Sequence, residues 1–184
     1  MAFTATEFPG LLVFQPRVFE DSRGFFFEPY NEKIFQQHAL KFNFVQDNQS
    51  HSTYGVIRGL HYQLNPFAQA KLVRALYGKI LDVVVDIRKD SPMFGKSFAI
   101  ELSGENKKQL LIPKGFAHGF SVLSETAGVL YKCDNAYNKG SEAGIIYNDP
   151  FLNIDWKVPD GKVTVSAKDI ELPVFENCVS NFEF

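Results

Sequence analysis

Residues 71–88, KLVRALYGKILDVVVDIR, decide the fold class. Gly78 divides this stretch into 71–77 and 79–88, and each half has the length and apolar content of a β-strand. The second half is rich in β-branched residues, which fit the pleated surface of a sheet. Outward from this pair, similar short segments bounded by turn residues occur at 24–28, 97–102, 109–112, 117–123 and 128–133. The pattern predicts an all-β protein.

The same pattern predicts a closed architecture. Many short strands with tight turns and little helix are typical of a barrel or jelly roll, which encloses a cavity that a small ligand can fill. We predict one helix at 31–39, from its apolar spacing, and a second short one near Ser166. Because the sequence has no linker-like stretch and no repeat, we predict a single domain, 1–184, with 171–184 as a C-terminal tail.

Composition excludes several classes of protein. The 184 residues include 19 basic and 21 acidic side chains, a net charge of −2, whereas a nucleic-acid groove needs a basic excess. Aromatic residues make up 15% of the chain, which is too many for a disordered protein. The most apolar stretch, 80–87, contains two carboxylates and is too short to cross a bilayer. We therefore expect neither a nucleic-acid nor a membrane partner.

The cysteines and the N-terminus predict the cellular compartment. Cys133 and Cys178 form no C-x-x-C pair, and two cysteines are too few for a disulfide framework. The first residues, MAFTATEFPGLLVF, lack the charged start and long apolar run of a signal peptide. A reducing, cytoplasmic compartment is the simplest expectation.

The densest group of polar residues in apolar surroundings spans 46–52, QDNQSHS, and 55–63, GVIRGLHYQ. In a regular strand Gly59 and His61 share one face, and Arg58 lies on the other. We expect Gly59 to leave room for a ligand beside His61. From spacing alone, a core histidine and an ion-paired arginine at a rim explain these residues about as well as a functional site does.

A second group, 112–120, IPKGFAHGF, places His118 between small residues. The four histidines of the chain include no H-E-x-x-H motif and no Cys/His zinc spacing. Considered alone, His118 is as well explained by packing as by function. Downstream, the phenols of Tyr131 and Tyr137 and the polar stretch 166–169 mean little singly.

Together these stretches resemble the dTDP-4-dehydrorhamnose 3,5-epimerase family. The resemblance runs unbroken from about residue 15 to residue 169 and is carried by 46–48, 55–63, 68–74, 82–88, 91–95, 112–120 and Trp156. It implies a cupin-type jelly roll and a homodimer, with the substrate bound in the mouth of the barrel. It also implies that no metal or organic cofactor is used.

The cupin resemblance can be tested on metal ligands. Metal-binding cupins resemble G-x5-H-x-H followed later by P-x-G-x-x-H. Gly55 and His61 keep the first spacing and His118 keeps the second, but Gln63 stands where another histidine would be. A lysine, Lys71, follows close behind, and its cation would repel a divalent metal. We therefore predict no metal site.

The resemblance implies a specific chemistry. The substrate is a nucleotide-linked 4-keto-6-deoxyhexose, whose hydrogens on C3 and C5 both lie α to the ketone. A base removes one hydrogen to give an enolate, and reprotonation from the opposite face inverts that carbon. By match to the family's motifs, His61 is the proton acceptor, Asp169 orients it, Tyr131 is the proton donor and Lys71 stabilises the enolate.

The resemblance also implies binding residues. The guanidinium of Arg58 suits the diphosphate because it can pair with two phosphate oxygens. The full set of positions that match substrate contacts is Arg23, Glu28, Gln46, Asp47, Asn48, Arg58, Lys71, His118, Glu142 and Lys168.

The segment 24–28 adds an expectation about assembly. Its three consecutive phenylalanines, 25–27, must place rings on both faces of one strand. At least one ring is then exposed or buried at a second interface, and we expect a contact between subunits there.

Three alternatives to the 3,5-epimerase stay open at this stage. A single-carbon epimerase or a ketoisomerase on a related nucleotide sugar would share the fold and the base. A cupin that binds sugar nucleotides without catalysis would keep only the pocket. A metal-dependent cupin enzyme is disfavoured by Gln63.

Overall fold

The computed structural model describes residues 2–184 and contains two β-sheets and a separate hairpin, with all paired strands antiparallel and numbered in chain order. Across the six-stranded sheet the order is β1 (Ala2–Ala5), β2 (Leu12–Gln15), β10 (Gln109–Ile112), β7 (Lys71–Tyr77), β12 (Thr126–Cys133) and β5 (Gln46–Thr53). Across the five-stranded sheet it is β13 (Glu142–Gly144), β6 (Ile57–Gln63), β11 (Phe116–Val122), β8 (Lys79–Asp86) and β9 (Ser97–Ser103). The hairpin consists of β3 (Val18–Asp21) and β4 (Gly24–Phe27). The predicted all-β, cupin-type jelly roll is confirmed.

The stretch 71–88 forms the link between the two sheets. β7 pairs with β10 and β12, whereas β8 pairs with β11 and β9. The chain turns between them at Gly78, whose φ is +70° and whose missing Cβ would lie 2.1 Å from a backbone oxygen of Thr126. Only glycine fits such a turn without strain. The predicted bounds are confirmed for β7, and β8 ends at Asp86.

The inner part of the space between the two sheets is filled by apolar side chains. Alternate residues of each strand point inward, as the period of a strand requires. Among the residues buried there are Val73, Ile80, Val84, Leu110 and Val129. This layer holds the two sheets together and leaves the polar inward-facing residues for one end of the interior.

The outer face of the five-stranded sheet is covered by the C-terminal part of the chain. Ile57, Val83 and Val85 are buried there under Trp156 and Phe182. The predicted tail, 171–184, is part of this layer: the Tyr62 hydroxyl donates a 2.6 Å hydrogen bond to the Val179 carbonyl. Backbone bonds join Lys89 to Phe182 and Phe184. The tail therefore stabilises the back of the sheet.

Two short helices occur near the predicted places. Helix α1 (Glu32–Gln37) begins after Asn31, whose side chain accepts a hydrogen bond from the backbone of Lys33, and covers the six-stranded sheet through Phe35. Helix α2 (Ala167–Ile170) begins after Ser166, which caps it in the same way. Within residues 2–184, none of the helices has the length and apolar character that a membrane crossing needs.

The β3–β4 hairpin bears exposed aromatic rings. Phe25 and Phe26 are 57% and 68% exposed, whereas Phe27 is partly buried. The prediction that at least one of the three rings is exposed or buried at a second interface is therefore confirmed, because two of the rings are exposed in this chain.

Candidate active site

A cavity of about 960 Å³ opens between the two sheets at their polar end. Strands β5, β7 and β12 of one sheet and β6, β11 and β13 of the other contribute to its walls, together with α2. Most of the predicted site residues line it: Gln46, Asp47, Asn48, Arg58, His61, Lys71, His118, Tyr131, Glu142, Lys168 and Asp169. The topology thus brings together residues that are far apart in sequence.

His61 and Asp169 form a hydrogen-bonded pair in this cavity. Nε2 of His61 lies 2.9 Å from Oδ1 of Asp169, and the backbone N–H of Gly59 donates to Oδ2 at 3.2 Å. Burial by itself would raise the pKa of Asp169, but the hydrogen bonds from His61 and Gly59 outweigh it and hold that pKa below its usual value. The carboxylate is ionised and fixes the orientation of an imidazole whose side chain is 32% exposed.

A β-bulge changes the faces expected for β6. His118 pairs with His61, whereas Phe120 pairs with Arg58, so two residues of β6, Gly59 and Leu60, lie opposite the single residue Gly119 of β11. Because opposed residues share a face, Arg58 and His61 lie on the same face and both line the cavity. The prediction that they lie on opposite faces is wrong, since it assumed an unbroken strand.

Gly59 makes close packing possible and does not leave room for a ligand. Its φ is +121°, and a Cβ there would lie 2.5 Å from Cα of Gly119. The expected space beside His61 is occupied by the backbone of β11. The expectation is therefore wrong in its detail: a glycine was needed for the approach of two strands.

Lys71 and Tyr131 lie on the opposite wall, which the six-stranded sheet forms. Nζ of Lys71 is 5.8 Å from the centre of the Tyr131 ring. Burial lowers the pKa of Lys71, although Cys133 and Asp82 nearby act against this. Burial also raises the pKa of Tyr131, so its phenol keeps the proton at neutral pH. This wall therefore presents a cation and a proton donor.

His118 forms a second pair with a buried carboxylate. Its Nε2 lies 3.1 and 3.0 Å from the two side-chain oxygens of Asp82. Asp82 was missed as a site residue in the sequence. The available signal was its place in β8: a carboxylate that alternates with Val84 must point into the interior, where it needs a partner.

The strand β5 supplies amide groups to the cavity. Gln46 Oε1 accepts a 2.9 Å hydrogen bond from the backbone of Tyr137. Asn48 contacts Cys133 on the neighbouring strand, with 3.7 Å between Nδ2 and Sγ. Asp47 lies at the rim, paired with Lys132 at 2.9 Å. These amides and Arg58 give the wall the groups that bind phosphates and heterocyclic bases.

Comparison with known proteins identifies the family. The model for dTDP-4-dehydrorhamnose 3,5-epimerase matches residues 5–177. The chain belongs to this family.

Individual relatives agree with that assignment. The dTDP-4-dehydrorhamnose 3,5-epimerase of Shigella flexneri is 55% identical over 166 residues, covering 90% of this chain and 91% of the relative. The crystal structure of the dTDP-4-dehydrorhamnose 3,5-epimerase of Elizabethkingia anophelis NUHP1 is similar with a TM-score of 0.91 and 51% identity, covering 96% and 97% of the two chains. That of the dTDP-6-deoxy-D-glucose-3,5-epimerase of Legionella pneumophila Philadelphia 1, in complex with dTDP-4-keto-L-rhamnose, has a TM-score of 0.91 and 45% identity, covering 96% and 93%.

Two predicted contacts of this epimerase-family chain lie away from its cavity. Arg23 is on the hairpin turn, where it pairs with Asp21 at 2.6 Å, and Glu28 follows β4, where it accepts a hydrogen bond from Asn31. Neither lines the cavity among the described residues 2–184. The fold of one chain therefore does not bring them to the other site residues.

Gln63 stands where a metal-binding cupin has a histidine ligand, and its side chain forms hydrogen bonds with the backbone of neighbouring loops. Its Nε2 donates to the carbonyls of Phe67 and Ala136, and its Oε1 accepts from the backbone of Asn138 at 2.7 Å. These bonds hold both neighbours of Tyr137. In the described part of the chain, no group of three or more His, Cys, Asp or Glu side chains is arranged to hold a metal ion.

Tyr137 begins a polar chain at the cavity mouth. Its hydroxyl donates to Glu142 at 2.9 Å, and Glu142 pairs with Lys168 at 2.7 Å. Burial would raise the pKa of Glu142, but the hydrogen bonds from Lys168 and Tyr137 lower it overall. Sequence reasoning noted the phenol of Tyr137 without assigning it to the site, because the loop 134–138 has no periodicity that would place it.

Proposed function

We propose that this chain is a cofactor-independent epimerase that inverts C3 and C5 of dTDP-4-dehydro-6-deoxy-D-glucose, giving dTDP-4-dehydro-L-rhamnose. Membership of the family supports the reaction. A relative solved with dTDP-4-keto-L-rhamnose supports the substrate class. The observation that carries the proposal is a His61–Asp169 pair that faces Tyr131 and Lys71 across one cavity.

His61 acts as the base. The hydrogens on C3 and C5 are acidified by the C4 ketone that lies between them, so one imidazole can serve both carbons in turn. Asp169 stabilises the imidazolium that forms, and a hydrogen bond to a charged group of this kind is worth about 1.5–3 kcal/mol. The Ser166 side chain supports the arrangement by accepting a 3.1 Å hydrogen bond from the backbone of Asp169.

Lys71 stabilises the enolate. Negative charge develops on the C4 oxygen as the α-hydrogen leaves, and a buried ammonium interacts with it more strongly than it would in water. Lys71 is 9% exposed. Removal of one preorganised group of this type costs about 3–4 kcal/mol in the transition state.

Tyr131 returns the proton from the other face. It belongs to β12 of the six-stranded sheet, whereas His61 belongs to β6 of the five-stranded sheet. A sugar ring held between the sheets has the base on one side and the phenol on the other. Inversion needs this separation, because a proton returned by the base itself would restore the original configuration.

The nucleotide is proposed to bind along Gln46, Asn48 and Arg58. Arg58 is held by a 3.0 Å hydrogen bond from its Nε to the Ser52 hydroxyl, which leaves its terminal nitrogens for the diphosphate. Asp47, His118, Glu142 and Lys168 complete the substrate contacts expected from the family motifs.

We further propose that the protein works as a cytoplasmic homodimer. The exposed rings of Phe25 and Phe26 are the kind of surface that a second subunit covers. Since Arg23 and Glu28 lie away from their own cavity, a nucleotide contact by either is proposed to be made to the partner's substrate. The free thiols of Cys133 and Cys178 fit a reducing compartment.

Proton NMR in deuterium oxide tests the reaction directly. With dTDP-4-dehydro-6-deoxy-D-glucose, the proposed epimerase exchanges and inverts both C3 and C5. Exchange at one carbon, or movement of the carbonyl, would indicate the single-carbon epimerase or the ketoisomerase, and dTDP binding with no exchange would indicate a binding protein. His61→Asn should abolish exchange while leaving the Kd for dTDP within about twofold; wild-type exchange in that variant would refute the assignment of the base.

A further inference from the structure

His118, on the cavity wall, forms a second His–Asp pair, to which the proton transfers described above assign no part. His118 lies opposite His61 on the neighbouring strand, so the two imidazoles stand side by side on one wall. They differ in exposure: the side chain of His61 is 32% exposed, and that of His118 only 6%. Asp82, the partner of His118, is fully buried.

Both oxygens of Asp82 are directed at a single nitrogen of His118. The two distances to Nε2 are 3.1 and 3.0 Å, a geometry in which a carboxylate accepts from an N–H, and this favours the tautomer with the proton on Nε2. Nδ1 makes no hydrogen bond with any side chain or backbone group of residues 2–184, although the ring lines the cavity. The free nitrogen is therefore available to a ligand.

We propose that Asp82 is a positioning residue that holds the proton of His118 on Nε2, so that Nδ1 accepts a hydrogen bond from a hydroxyl of the bound sugar. The inference rests on the proposed function, because it assumes a hexose between the sheets. It assigns to Asp82 a part in sugar recognition that acts through His118.

The charges around His118 agree with a neutral acceptor. Burial lowers its pKa, Asp82 on β8 acts in the opposite direction, and Lys71 on β7 and His61 on β6 lower it further. From β12, the ring of Tyr131 lies 6.4 Å from that of His118, and its phenol is uncharged at neutral pH. A neutral imidazole with its proton on Nε2 has a lone pair on Nδ1.

A site built to accept a hydroxyl discriminates by the presence of that hydroxyl. The hexose of the proposed substrate carries one hydroxyl on C2, beside the reacting C3, and another on C3 itself. A contact made equally in the ground state and the transition state changes KM more than kcat. This separates a recognition role from the roles of His61 and Lys71, which act on kcat.

The first test is the tautomer of His118 in the unaltered protein. Nitrogen-15 NMR of histidine-labelled protein distinguishes a protonated Nε2 from a protonated Nδ1, and the chain has only four histidines to assign. We expect His118 to be neutral with the proton on Nε2 at pH 7. A proton on Nδ1, or an imidazolium, would overturn the proposal without any variant having to fold.

The second test uses Asp82→Asn. The asparagine amide can present either its oxygen or its NH₂ to Nε2, so we expect a mixed tautomer and a KM raised about 3- to 10-fold, the worth of a neutral hydrogen bond. We expect kcat to fall by less than about threefold. The Kd for dTDP, which has no hexose, should not change.

Two further variants separate positioning from a structural effect. If Asp82 acts through His118, adding Asp82→Asn to His118→Ala should change KM by less than about twofold beyond His118→Ala alone. Ser121→Ala is the matched control. Ser121 is buried on β11, the strand of His118, but it donates a 2.6 Å hydrogen bond to the carbonyl of Trp156 on the outer side of the sheet. The substitution should lower stability and leave KM unchanged.

The outcomes are distinguishable from failure of the proposed function. If the unaltered protein does not exchange C3 and C5 hydrogens, the reaction is wrong whatever Asp82 does. If it does, and Asp82→Asn lowers thermal stability as Ser121→Ala does while KM and the tautomer stay as they were, Asp82 is structural only. Additive effects of the Asp82 and His118 changes would also overturn the proposal.

Discussion

Lys71→Met should make the protein more stable and inactive. Lys71 is buried, its ammonium has no hydrogen-bond or ion-pair partner among residues 2–184, and burial lowers its pKa. The folded state therefore carries a charge that it stabilises less well than water does. Methionine has a similar length and an apolar, flexible side chain, so it fills the same space without that cost.

The size and the pH dependence of the effect follow from linkage. Each unit by which burial lowers a pKa costs about 1.4 kcal/mol of stability while the group is charged. Replacement of buried charged groups by apolar ones of similar volume stabilises proteins by about 1–4 kcal/mol, and we expect a gain in this range at pH 7. Because the unfolded lysine holds its proton up to about pH 10.5 and the folded one releases it earlier, the gain should shrink as the pH rises through that window.

Urea unfolding at pH 7 and pH 10, with NMR exchange as the activity assay, measures both effects. Lys79→Met is the matched control, because Lys79 is partly exposed, lies on the next strand along the chain and pairs with Glu101 at 3.3 Å. The free energy of unfolding of this variant should differ from that of the wild type by less than about 0.5 kcal/mol. A loss of stability in Lys71→Met, or wild-type turnover by it, would refute the reasoning about this ammonium.

Three other changes test separate parts of the molecule. Asp169→Asn should lower kcat/KM by roughly 10- to 150-fold, since it removes a charged hydrogen bond worth about 1.5–3 kcal/mol. Because the pKa of Asp169 is lowered in the folded state, its carboxylate stabilises the fold above about pH 4. The difference in stability between Asp169→Asn and the wild type should therefore diminish as the pH falls below that value. A difference that stays constant in acid unfolding would count against this role of the carboxylate. Gln63→Leu should raise KM and increase the sensitivity of residues 134–138 to protease, because it removes the hydrogen bonds that hold both neighbours of Tyr137. Unchanged cleavage of this loop would disprove that Gln63 holds it in place. Phe182→Ala should cost about 3–5 kcal/mol in urea unfolding and leave kcat unaltered, because its ring is buried behind the sheet and away from the cavity.

Local features of the chain were predictable because their causes are local. The strand bounds at 71–77 follow from β-forming residues beside a glycine turn, and α1 and α2 begin where Asn31 and Ser166 can cap them. The residue types of the site were also predictable, because long motifs resembled one family. A motif states which side chains are present, and the chemistry of those side chains limits what they can do.

Register and packing, in contrast, depend on residues far along the chain. Two expectations at β6 failed for this reason: the bulge against β11 turns Arg58 towards His61, and Gly119 occupies the space at Gly59. Both result from pairing with a strand that begins more than fifty residues later. No pattern within 55–63 reveals which partner strand comes so close.

The sequence by itself determined an all-β chain with the imidazoles, carboxylates, phenol and ammonium that proton transfer beside a ketone requires. Only the tertiary structure decided that His61 and Tyr131 occupy opposite walls, that Asp82 meets His118, and that Arg23 lies outside the cavity of its own chain. The physical reason is that side-chain chemistry belongs to single residues. Distance and direction belong to the pairing of strands, which is settled only when two sheets close over a common interior.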